Sequence, residues 1–123
     1  MKIRVNRIYA DADGVSHFAD DEIELDVNTF APPADPVLLS AWTGATRFAY
    51  LCFPAGWVGD WHPSPARQVQ FFIRGEGIVR VSDGSQRRFG VSDVWLVEDL
   101  TGPGHHTVAI EECVAGVVRL EPE

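Results

Sequence analysis

Turn-forming sequences recur roughly every ten residues from position 54 onward: PAG, HPSP, RGEG, SDGS, TGPG and EE. Between them lie short runs of β-branched and aromatic residues: QVQFFI, IVRV, RRFG, VWLVE, TVAI and CVAGVVRL. This rhythm constrains the fold more than any other feature of the chain. No interval holds three turns of an apolar stripe at helical period, so little helix is expected. Short strands at this spacing bury their apolar faces by forming a sandwich or a closed barrel. The predicted class is all-β.

At 123 residues the chain suits one domain, here taken as 1–123. Within it, residues 1–45 hold N-terminal strands and loops, and 46–120 form the core barrel. Apolar residues make up 46% and charged residues 23%, the balance of a globular chain. The net charge of −8 repels phosphate backbones and anionic membrane surfaces, which argues against nucleic-acid and membrane partners. No run approaches the ~20 apolar residues of a membrane span. The start, MKIRVNRIYA, has no apolar block like that of a signal peptide, so a cytoplasmic location is expected. Cys52 and Cys113 sit in strand-like apolar runs and are expected as buried reduced thiols.

Residues 1–10 read as a first strand, an edge that could pair with a second subunit to make a homodimer. Residues 11–22, rich in Asp, read as turn and loop, with His17 at the surface. IELDVNTF at 23–30 alternates as a half-buried strand. The prolines of APPADP forbid regular pairing across 31–36, and a loop is expected there. VLLSAW could supply a short strand, and TRFAYLCF at 46–53 reads as a firm one.

The chemistry-bearing residues cluster between 56 and 107. In QVQFFI, strand alternation puts Gln68, Gln70 and Phe72 on one face and Val69, Phe71 and Ile73 on the other. The wholly apolar face is expected to pack between sheets. Two amides facing the inside of a barrel would form part of a polar pocket. His62 precedes a proline-stiffened turn, which suits a group that must hold one direction. His105 ends the TGPGHH turn, shares its parity with Thr107, and is expected to point inward. Glu98 and Asp99 are the acids nearest His105 along the chain. One of them orients that imidazole or serves as an acid or base, with Glu98 the candidate. The four tryptophans suit core and rim packing, or a stacking wall for a flat ligand.

These residues carry a resemblance. Gly56, His62, Gln68 and Gly75 keep the spacing of the first motif of the cupin superfamily, with Ser64 at its second histidine and Gln68 at its glutamate. Gly102 and His105 match the end of the second motif, and RFGVSDV resembles the turn before it. The resemblance spans roughly half the chain. It implies a jelly-roll β-barrel (double-stranded β-helix), often dimeric. It also implies a divalent transition metal, Fe, Mn, Ni or Zn, held by His62, Gln68 and His105, with Gln70 orienting a small organic substrate. The implied activities are of oxygenase, isomerase or lyase type. The two departed ligand positions keep open a metal-free pocket that binds a small molecule without catalysis.

Overall fold

The computed structural model describes residues 1–122. Among these residues there are strands and turns and no helix. The N-terminal strands are β1 (Lys2–Ala10), β2 (Ser16–Glu24), β3 (Asp26–Asn28), β4 (Val37–Leu39) and β5 (Ala45–Phe53). Then follow β6 (Val58–His62), β7 (Gln68–Arg74), β8 (Glu76–Val81) and β9 (Gln86–Gly90). The chain ends with β10 (Val94–Glu98), β11 (His105–Ala109) and β12 (Cys113–Leu120).

The strands form a six-stranded sheet in the order β2-β1-β10-β7-β12-β5 and a four-stranded sheet in the order β6-β11-β8-β9. The small β3–β4 pair makes a third sheet. The core draws on both large sheets: Ile8, Phe72, Trp95, Val97 and Ala115 from the first, and Val79, Val81, Phe89 and Ala109 from the second. Where a strand contributes two side chains, they are alternate ones, as with Val79 and Val81, Trp95 and Val97, and Cys113 and Ala115. The all-β class therefore holds. The closed barrel does not form among the described residues, because no strand ladder joins the two large sheets.

Several local expectations change. β1 is no edge, since it pairs antiparallel with β2 and parallel with β10. The acid-rich stretch is turn only as far as Val15, and the rest is β2. Its acids are cross-strand partners and not loop chemistry: Lys2 pairs with Glu22, and Arg4 and Arg87 both reach Asp20. The strand expected over 23–30 is divided between the end of β2 and β3. Cys113 is buried as expected, whereas Cys52 is exposed on the outer face of β5. The apolar face of β7 also turns outward, with Phe71 47% and Ile73 53% exposed. No helix of the described residues is long and apolar enough to cross a membrane.

Register positions the site. On the inner face of the six-stranded sheet, Arg47, Arg119, Gln68 and Val97 lie opposite one another in one row across four strands. The next row is Ala49, Val117, Gln70 and Trp95. Below it come Leu51, Ala115 and Phe72. Polarity thus falls from the end of the sheet toward its middle.

Candidate functional site

A cavity of about 290 Å³ lies between the two large sheets. His62, Gln68, Gln70, His105 and Thr107 line it together with Ser64. The four residues expected to converge, His62, Gln68, Gln70 and His105, therefore share one hollow. The rest of the wall is apolar, with Phe53 and Trp57 stacked at 4.3 Å and Trp95 packed deeper. Two of the four tryptophans, Trp57 and Trp95, are cavity walls.

The histidines meet because β6 and β11 are neighbours whose register puts His62 opposite His105. Their ring centroids are 4.8 Å apart. Gly104 makes this approach possible. It has φ +76, and a Cβ there would sit 1.9 Å from the His62 carbonyl oxygen. His62 stands exposed at the mouth, and the His105 side chain is 12% exposed.

Both rings have a fixed tautomer. His105 Nδ1–H donates to Asp99 Oδ2 at 2.7 Å. His62 Nδ1–H donates to the Asp60 carbonyl at 2.6 Å. Carboxylate and carbonyl oxygens only accept, so each Nδ1 carries a proton, and the neutral form of either ring would have its lone pair on Nε2. Two imidazoles side by side, each held through Nδ1 by an oxygen acceptor, form the outer support that metal-binding histidines use. The same arrangement suits a general base.

Asp99, not Glu98, is the acid behind His105. Asp99 is fully buried, and its Oδ1 has no partner among the described residues. Glu98 has the opposite parity. It is absent from the cavity wall and is held outside it by Arg7 and, at 2.8 Å, by Arg67. An acid locked between two guanidiniums outside the cavity cannot reach a molecule within it. The role of acid or base expected of Glu98 is corrected on that ground. Ser64 is buried and donates its hydroxyl proton to the Ala66 carbonyl at 2.6 Å. Its backbone N–H bonds the Asp99 carbonyl at 2.9 Å. Ser64 thereby ties the β6–β7 turn to the residue that orients His105.

Among the described residues no three His, Cys, Asp or Glu side chains gather closely enough to hold a metal ion. Any ion held here would rest on the two imidazoles and neutral oxygens such as the Gln68 amide. No protein-family model matches the chain, and no curated protein matches it.

Proposed function

We propose that this chain is a small cupin-type jelly roll whose cavity binds a small organic molecule, with His62 and His105 acting on its polar end through a divalent transition metal. The observation that carries the reading is the pair of adjacent imidazoles, both lining one hollow and both with Nδ1 engaged, so that each Nε2 is left as the donor when the ring is neutral. Imidazole nitrogen suits Fe, Ni and Zn, and Mn least, and the Gln68 amide oxygen would supply a third donor. Bound there, an ion would polarise a carbonyl or hold a substrate oxygen. The chain's own residues do the remainder. Asp99 and the Asp60 carbonyl fix the rings, Gln70 offers a hydrogen bond to the substrate, and Phe53, Trp57 and Trp95 exclude water. Mostly apolar walls with a few converging polar groups favour a compact organic ligand over a polymer.

The test is metal uptake by protein purified without chelator. One ion per chain is expected, with binding weakened at least tenfold in His105→Ala. No uptake of Fe, Mn, Ni or Zn overturns the metal. A second reading has its own support: no carboxylate lines the cavity, so a metal-free pocket could use His105 and Asp99 as an acid–base pair or simply bind a ligand. That reading expects ligand binding to survive chelation and to be lost in His105→Ala.

The chain is further proposed to work as a homodimer, joined through the outer apolar face of β5, β12 and β7 and not through β1. Two free thiols, one of them exposed, suit a reducing compartment such as the cytoplasm.

A further inference from the structure

The row at the end of the six-stranded sheet has an unusual composition. Arg47 on β5 lies directly opposite Arg119 on β12, and Arg119 lies opposite Gln68 on β7. Like charges directly opposite in a sheet destabilise it. Neither arginine forms a salt bridge among the described residues, although the chain carries eighteen acids against ten basic residues. Arg4, Arg7, Arg67, Arg74, Arg87 and Arg88 all have acidic partners. Arg80 also lacks a salt bridge among the described residues, but it is Arg47 and Arg119, side by side, that edge a second hollow of about 330 Å³. That hollow shares Leu51, Pro65 and Gln68 with the inner cavity. The two spaces thus adjoin, with the arginines lining one and the imidazoles the other. At ~4.8 Å per strand step, the Arg47 backbone lies about 10 Å from that of Gln68.

We infer that the Arg47–Arg119 pair is an anion subsite and that the molecule taken by the cavity is a small organic carboxylate. Its acid group lies between the guanidiniums and its apolar body runs past Leu51 toward His62 and His105. This rests on the reading of the cavity as the functional site and names its substrate class. Guanidiniums match a carboxylate in plane and can each offer two N–H donors. The overall charge of −8 repels anions at long range, so selectivity must come from these two groups at contact distance. A phosphate is less well served. The row offers no helix N-terminus and no glycine-rich nest of backbone N–H groups.

The experiment uses the full chain and probes of known structure. Benzoate, phenylacetate and hexanoate are titrated against their uncharged amides, with phenyl phosphate as a further arm. At least one acid is expected to bind tenfold or more tighter than its amide. Arg47→Gln with Arg119→Gln should abolish that preference. The melting temperature of Arg119→Gln should be equal to or above that of the parent, because a like-charge contact is removed. Three outcomes overturn the inference: no acid preferred over its amide, a preference that survives the double substitution, or a stronger preference for phenyl phosphate. The metal reading fails separately. Absence of metal with an intact acid preference removes the ion and leaves the subsite, and metal uptake without acid preference does the reverse.

Discussion

His17 shows what one side chain adds when both its ring nitrogens face carboxylates. Nε2 meets Asp11 Oδ2 at 2.7 Å, and Nδ1 meets Asp83 Oδ2 at 3.0 Å. Both contacts are hydrogen bonds only if both nitrogens carry protons, which makes the ring an imidazolium. The bond that His17 donates to Asp11, helped by the one to Asp83, holds His17 above the ordinary histidine value of 6.5. The bond from His17 holds Asp11 below 3.8, and Asp83 is held below it by Ser85 first and His17 second. A raised histidine stabilises the fold below 6.5, and that gain is lost as pH rises through its native value. The lowered aspartates stabilise above 3.8, and that gain is lost as pH falls through their native values. The clip between the β1–β2 and β8–β9 turns is therefore strongest from about pH 4 to 6.5. His17→Gln should lower the melting temperature clearly at about pH 5.5 and much less at about pH 8.5. A loss that is equal at both values, or larger at the higher one, contradicts the ion-paired clip. The sequence alone places His17 in an acid-rich stretch, but Asp83 is 66 residues distant and only the fold brings it near. The choice between Glu98 and Asp99 was nearer to hand. Alternation groups Asp99 with Trp95 and Val97, yet VWLV is apolar on both faces and does not say which one is inside.

At the scale of elements, the β6–β11 pairing carries the site, and one glycine governs it. Gly104 combines a left-handed φ of +76 with the His62 carbonyl and the Pro63 nitrogen within 2.4 Å of its missing Cβ. Gly84 has φ +95 but nothing within 4 Å. The two therefore separate backbone strain from collision. Gly84→Ala should cost about 1–2 kcal/mol, the price of a left-handed residue. Gly104→Ala should cost roughly 3–5 kcal/mol in denaturant unfolding, because β6 must also move. It should also separate the rings, which the histidine proton resonances would report. Equal losses in the two variants would mean that the close approach at Gly104 is not what holds His62 to His105. The strands from Gln68 to Leu120 were legible in the sequence because turn chemistry brackets each of them. β2 was hidden, since its outward acids imitate a loop until Lys2, Arg4 and Arg87 are seen opposite them. The parallel pairing of β1 with β10 links residues about ninety positions apart, and no local pattern encodes such a partner.

The molecule as a whole leaves one sheet face uncovered. β7 carries Gln68, Gln70 and Phe72 on its inner face and the wholly apolar Val69, Phe71 and Ile73 on its outer one. Its inner side meets the cavity. Its outer side lies open beside β12 and β5, with Phe48 70%, Tyr50 75%, Phe71 47% and Ile73 53% exposed. Tyr50 and Phe71 flank Gly116, above which a Cβ would meet nothing within 4 Å, so the face carries a shallow notch between two rings. In the proposed homodimer a second copy would bring the same face and close the contact by twofold symmetry, each ring able to enter the other's notch. Long-range repulsion between two chains of −8 opposes this, whereas the apolar contact itself is indifferent to modest salt. Dimerisation should therefore tighten as salt rises from about 20 to 300 mM, the range over which screening shortens to below about 10 Å. Light scattering at micromolar concentration should give twice the chain mass, and Tyr50→Glu with Phe71→Glu should give the monomer with the core intact. A wild-type monomer, or a dimer that survives both substitutions, places the partner surface elsewhere. Arg47 lies on β5 next to Phe48, and Arg119 on β12 next to Val118. Their strands are the ones a partner would press on, so weaker carboxylate binding in the monomeric variant would reveal coupling between assembly and the anion subsite.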